Sequence, residues 1–124
     1  MSITIKSRLG EYSVKLIKKI NQKHLNDKNN FYIIDSTVYK IFIKKKLNKN
    51  FILVNSSEKK KDYFEIGKII KKLMLFDIKR NSNLVAIGGG IIQDISGFIA
   101  SIIFRGISWT FYPTTLLAQG DSCI

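Results

Sequence analysis

Three consecutive glycines, Gly88–Gly90, separate an apolar run that ends at Ile87 from a second one that begins at Ile91, and an acid, Asp94, follows four residues after the last of them. Glycines at that place let a ligand approach the backbone closely. A helix starting there presents unpaired N–H groups and a positive dipole end, which suits a phosphate-bearing ligand. The ordinary structural use of a glycine here is a tight turn with positive φ that binds nothing. One glycine would call for no more than that, but three at the end of a buried strand point to a ligand. The spacing is not G-x-G-x-x-G, so it does not choose which ligand. Asp94 either complements the helix dipole or accepts hydrogen bonds from ligand hydroxyls, and spacing leaves both open. Arg105, before Gly106, closes a helix against its negative dipole end or binds an anion. The span Pro113–Ser122 gathers two hydroxyls, an amide and a carboxylate in Thr114, Thr115, Gln119 and Asp121. Either threonine also serves as a helix N-cap.

The elements that must position these residues follow from periodicity. Alternation in "SITIKS" and in Tyr12–Ile17 predicts two half-buried strands joined by a turn. Lys18–Asn30 is polar and reads as a short helix or loop. "FYIID" (31–35) is a short strand ending in an acid, Asp35. Thr37–Leu47 has helical spacing, and "NFILVN" (50–55) is another strand. Ser57–Arg80 carries the longest helical pattern, with Phe64, Ile66, Ile69, Ile70, Leu73 and Phe76 on one stripe and Lys68, Lys71, Lys72 and Lys79 facing water. "NLVAIGG" lacks polar alternation, so a strand buried on both faces is expected. Ile91–Phe104 predicts a helix, with Gly106 as its left-handed cap. "SWTFYPTT" predicts the last strand. Strands alternating with helices predict an open α/β fold, Rossmann-like, with a mostly parallel sheet.

Composition narrows the function classes. The 124 residues make one domain, 45% hydrophobic, with a net charge of +12. Such a charge fits nucleic acid, an anionic membrane or an anionic small substrate. The lysines fall in short clusters not interleaved with aromatics, which argues against nucleic acid, and their abundance alongside Ile and Asn is what AT-rich coding produces. The single cysteine, Cys123, excludes a disulfide framework within the chain. There is no signal-peptide core, and the apolar stretch Ile95–Phe104 is too short to span a bilayer, so a cytoplasmic protein without a membrane role is expected.

The run "GGGIIQDISGFIASIIFRGISWTFYPTTLLAQGDS" closely resembles the dehydroquinate synthase family of sugar phosphate cyclases, whose members read GGG, two apolar residues, G-D, then AGF, RG, PTTLLAQ and D-S. The resemblance is specific mainly over Arg80–Ser122. Upstream, "IIDSTV" resembles a D-x-N-V element and "SEKKK" resembles G-E-x-x-K, which singles out Lys61 among the lysines. Gln93 stands where the family has glycine, and Gly120 where it has an apolar residue. The resemblance implies NAD as cofactor, contacted by Asp35, Glu58, Lys61, Gly88, Gly89, Gly90, Asp94, Thr114, Thr115 and Asp121. It implies a sugar phosphate substrate, with Asp121 between nicotinamide and substrate. Arg105 would reach the substrate phosphate across a homodimer interface. The implied reaction is NAD-dependent cyclisation of a heptulosonate 7-phosphate to 3-dehydroquinate with loss of phosphate, on the shikimate route to aromatic amino acids. Valiolone- and inosose-type cyclases, or a non-catalytic nucleotide-binding fragment, are the alternatives.

The family also implies a divalent metal, zinc or cobalt, held by one Glu and two His in a C-terminal helical domain. That domain is absent from this sequence, which has one histidine, His24, and one histidine cannot make a zinc site. Residues 1–124 are therefore expected to be the N-terminal nucleotide-binding domain alone, without metal ligands and inactive in isolation.

Overall fold

The computed structural model describes residues 2–8, 10–17, 25–43, 47 and 50–122; for Ser7, Asp121 and Ser122 it describes the backbone only. Cys123 and His24, both singled out in the sequence, lie outside the described residues.

Four strands form one parallel sheet: β3 (Asn30–Asp35), β4 (Phe51–Val54), β5 (Asn83–Gly88) and β6 (Ser108–Pro113). Their order is β4-β3-β5-β6, with Ile33 opposite Ile52 on one side and Ala86 on the other. The chain steps from β3 outward to β4, then crosses back over β3 to β5. This reversal puts the topological switch point between the carboxyl ends of β3 and β5, where open α/β sheets bind ligands.

Alternate residues of the two central strands build two cores. Phe31, Ile33, Leu84 and Ala86 face helix α1 (Tyr63–Leu75) and helix α2 (Gly90–Ile102), meeting Ile66, Ile69, Leu73, Ile92, Ile95 and Ile99. Tyr32, Ile34, Val85 and Ile87 face the other way, against Leu25, Ile43 and Leu47. Both central strands are buried on both faces, as their unbroken apolar runs predict. Each fully buried Ile or Leu contributes about 1.5–3 kcal/mol by leaving water.

The helical regions differ from the sequence expectation in extent. Ser57–Arg80 is not one helix. A 3-10 turn, Glu58–Lys61, comes first, and Asp62 then caps α1, its carboxylate accepting the Phe64 N–H at 2.8 Å. This helix ends at Leu75, with Asp77 at φ 63° turning the chain. The apolar stripe also narrows, because Phe64 is 82% exposed and Phe76 is exposed as well. Within Thr37–Leu47 the chain makes a helical turn, Ser36–Val38, and then a π turn, Tyr39–Ile43. After α2 the chain goes left-handed at Phe104 (φ 51°) and Arg105 (φ 65°), before Gly106 at φ 103°. The left-handed stop therefore begins two residues before the glycine expected to supply it.

The first two strands, β1 (Ser2–Ser7) and β2 (Gly10–Lys15), form a separate antiparallel hairpin. They are mostly exposed rather than half-buried: Ile3 and Tyr12 face solvent, and so do Leu16 and Ile17 beyond β2. In the main sheet β6 has, among the described residues, a strand neighbour on one side only. No charged residue occurs from Gly106 to Gly120, so that edge strand and the segment after it as far as Gly120 carry no charge. Among the described residues no helix is long and apolar enough to cross a membrane.

Candidate functional site

The site is built from the carboxyl end of the sheet. Strand β3 ends at Asp35, whose Oδ1 accepts the Thr37 N–H at 2.7 Å and the Val38 N–H at 3.0 Å, capping the turn that follows. Its Oδ2 accepts the hydroxyl of Ser56, from the segment just past β4. Partial burial works to raise the Asp35 pKa, but these hydrogen bonds outweigh it and hold the carboxyl below its ordinary value. A negative charge is thus fixed at the mouth of the switch point. The sequence reading missed Ser56; its adjacency to Ser57 and Glu58 is the only signal for it.

The three glycines differ in what surrounds them. A Cβ on Gly88 would come within 2.5 Å of Ile92 Cγ1 and 3.3 Å of Asp35 Cβ. Gly88 therefore lets α2 lie directly on the strand ends. A Cβ on Gly89 would stand 3.0 Å from Thr115 Cγ2, whereas one on Gly90 would meet nothing within 4 Å. None of the three has the positive φ of a tight glycine turn. Open space lies beside Gly90, the first residue of a 13-residue helix whose leading N–H groups have no partner within the helix. That arrangement suits an anion.

Thr114 and Thr115 close the far side. The Thr114 N–H donates to the Gly88 carbonyl at 2.9 Å, tying the end of β6 to the glycines. Thr115 Oγ1 accepts the Ala118 N–H at 3.2 Å, so this threonine does cap a turn while its methyl faces Gly89. Asp121 falls in the π turn Ala118–Ser122.

On the near side Glu58, Lys61 and Asp94 come together. Lys61 Nζ is 2.8 Å from Asp94 Oδ2 and 3.2 Å from Glu58 Oε2. The hydrogen bond to Asp94, and then that to Glu58, raise the Lys61 pKa above its ordinary value. Asp94 is the fifth residue of α2, past its first turn, and its charge meets a lysine instead of the helix end. Beside this pair lies a hollow of about 190 Å³ lined by Lys61, Tyr63, Ile66, Asp94, Ile95 and Phe98. Tyr63 and Phe98 meet edge to face across 6.0 Å. Neither aromatic was singled out in the sequence, where Tyr63 lay off the apolar stripe of its helix.

Arg105 is not part of this cluster. It precedes β6, at the amino end of the sheet. Six strand residues at about 3.3 Å each leave roughly 20 Å between it and the cleft. Among the described residues no group of three His, Cys, Asp or Glu side chains is placed to hold a metal ion.

The parallel sheet, the helices on α2's side and the glycine-rich cleft at the strand reversal define an open α/β protein with a ligand site at its switch point. Comparison with known proteins narrows this class. Residues 35–124 match the family model of the 3-dehydroquinate synthase N-terminal region. The chain belongs to the 3-dehydroquinate synthase family. It is 43% identical over 108 residues to a 3-dehydroquinate synthase of Buchnera aphidicola subsp. Cinara cedri, covering 86% of this chain and 26% of that protein. The solved 2-deoxy-scyllo-inosose synthase complexed with carbaglucose-6-phosphate, NAD+ and Co2+ superposes with a TM-score of 0.67 at 25% identity, over 75% of this chain and 27% of that one. The 2-epi-5-epi-valiolone synthase of Streptomyces hygroscopicus subsp. jinggangensis, with NAD+ and Zn2+ bound, shares the fold at a TM-score of 0.67 and 21% identity, over 91% of this chain and 38% of that one. The chain spans less than a third of the length of the curated relatives it matches.

Proposed function

We propose that residues 1–124 are the nucleotide-binding domain of a 3-dehydroquinate synthase-type sugar phosphate cyclase and that the cleft binds NAD. One observation carries this reading: Asp35, Gly88–Gly90, Glu58, Lys61, Asp94, Thr114 and Thr115 converge on the carboxyl end of the sheet around the switch point. The open space beside Gly90 fits a diphosphate, which the α2 N–H groups would hold. Asp35, Glu58 and Asp94 are acceptors suited to ribose hydroxyls. NAD supplies a reversible hydride acceptor. This chain's part is to orient it, with Thr114 and Thr115 walling the cleft near Gly88 and Gly89. Asp121, in the turn after them, stands between cofactor and substrate in this reading.

The described residues do not fit the metal found in the two solved cyclases, since no three donors converge. No step of the reaction is assigned to a metal on this domain. Its ligands belong to the remaining two thirds of the family's length. Arg105, remote from the cleft of its own chain, serves the phosphate of the substrate bound to a second copy in a homodimer.

The experiment is an NMR titration of the 124-residue chain with NAD. Amide shifts should centre on Gly89, Gly90 and Thr115, and Gly89→Val should abolish them. Shifts that persist in Gly89→Val place the cofactor elsewhere.

A further inference from the structure

The face of the sheet turned away from α1 and α2 carries a second hollow, of about 280 Å³, toward the amino ends of the strands. Val85 lies in it with Tyr32 and Thr110 as its register partners, and Asn83 stands opposite Asn30. Tyr112, two residues beyond Thr110, shares that face. The polar groups form a ladder across three strands. Asn30 Nδ2 donates to the Tyr32 hydroxyl at 3.2 Å, and Asn83 Nδ2 donates to Asn30 Oδ1 at 3.2 Å and to Thr110 Oγ1 at 3.3 Å. Pairing across the strand starts is the ordinary use of such residues, but it leaves the hollow itself and Tyr112 without one. Burial alone raises the Tyr112 pKa, and its hydroxyl has no hydrogen-bond partner among the described residues. It therefore stays a neutral O–H that can both donate and accept.

We propose that this hollow is a binding site for an uncharged polyhydroxylated molecule the size of one sugar ring. The size follows from the volume, which lies at the small end of the range for ligand pockets. The class follows from the lining. Two amides and three hydroxyls offer donors and acceptors side by side, which vicinal hydroxyl groups match. The two tyrosine rings, Val85 and Leu25 give apolar surface for the C–H groups of a ring. Charge narrows the class further. In a chain of net charge +12, the hollow is lined by no cation, and its one charged side chain is Asp27. An anion is therefore repelled. Asp27 is exposed at the rim and its Oδ1 already accepts the Asn29 N–H at 2.9 Å, so a cation bound deeper, among neutral groups, would lack a counter-charge.

The test is an NMR titration of the isotope-labelled chain with glucose, with glucuronate and glucosamine as charged rings of similar size. Glucose should shift the side-chain amides of Asn30 and Asn83 and the backbone amides of Thr110 and Tyr112, saturably and with millimolar affinity, and leave Gly89 and Gly90 unmoved. Tyr112→Phe keeps the ring and removes the hydroxyl, and should weaken glucose binding about fivefold. Glucuronate should bind about tenfold more weakly than glucose, and Asp27→Asn should close most of that gap. Glucosamine should bind no more tightly than glucose. Absence of saturable shifts at these residues overturns the proposal, and so does a folded Tyr112→Phe chain that binds glucose as the wild type does. Tighter binding of glucosamine overturns it in favour of a cation site. If Tyr112→Phe fails to fold, the Asp27→Asn comparison decides, and an unchanged preference for glucose over glucuronate counts against the site.

Discussion

Gly88 and Ile92 pack so closely that a Cβ at residue 88 would overlap the isoleucine side chain, at 2.5 Å from Cγ1 and 2.8 Å from its Cβ. Ile92 is itself wholly buried, so it has no free space to yield. Gly88→Ala should destabilise the fold by about 1–3 kcal/mol through overpacking. Gly90→Ala should leave stability unchanged or raise it by about 0.5 kcal/mol, because the site is open and alanine favours the helix. The same change should weaken NAD binding, because its methyl enters the space left for the ligand. Urea melts of the two variants, paired with NAD titration of Gly90→Ala, check the contrast.

The carboxylate of Asp35 caps one turn and takes the Ser56 hydroxyl. Its folded pKa lies below the ordinary 3.8. Its contribution is therefore complete above the unfolded pKa and is lost as pH falls through the folded one. Asp35→Ala should cost about 1–2 kcal/mol at pH 7. The gap between wild type and variant should narrow as the pH drops below about 4. Denaturant melts at pH 7 and pH 3 measure both values. An unchanged gap would show that the ionised carboxylate is not what holds the turn.

Ser96 is completely buried in α2, and its hydroxyl has no hydrogen-bond partner among the described residues. Ser96→Ala removes that uncompensated polar group and improves helix propensity. A gain of about 1 kcal/mol is expected, read as a higher melting temperature. A loss of stability would mean that the hydroxyl is in fact satisfied.

The 124-residue chain should not release phosphate from a heptulosonate 7-phosphate in the presence of NAD and zinc. The described residues offer no metal-ligand cluster, and a catalytic zinc takes three protein ligands. A colorimetric phosphate assay on the purified chain decides this, and release above background would require a metal site elsewhere. The role proposed for Arg105 predicts that, in a full-length relative, Arg105→Lys at the matching position raises the Michaelis constant, because lysine cannot make the bidentate phosphate contact an arginine can; an unchanged constant would leave Arg105 as a helix-end residue.

The central sheet was legible because β3 and β5 are apolar without alternation, and only burial on both faces explains that pattern. The glycines, PTTLLAQ and the Glu58–Lys61 turn were legible by resemblance, and the fold brings most of them to one end of the sheet. Other features depended on tertiary partners that a periodicity does not contain. Phe64 has the right spacing for the core, yet the helix rotation set by Ile66, Ile69 and Leu73 leaves it outside. Alternation in β1 and β2 gave the strands correctly but could not reveal that the main sheet does not cover them. The pairing of Lys61 with Asp94 joins residues 33 positions apart, and only the crossover that lays α2 beside the turn makes it visible.

The outer edge of β6 bears on how the protein behaves in a tube. Edge strands are commonly guarded by charge, and the stretch from Gly106 to Gly120 has none. What separates two copies is then the net charge of +12 spread over the rest of the chain. Salt screens that repulsion over a distance of about 10 Å at 0.1 M, while leaving the unpaired backbone groups and the exposed Trp109, Leu116 and Leu117 as attractive as before. Adding salt during purification, the usual remedy for a basic protein, should therefore drive this one toward association, and dilute buffers of low ionic strength should keep it dispersed.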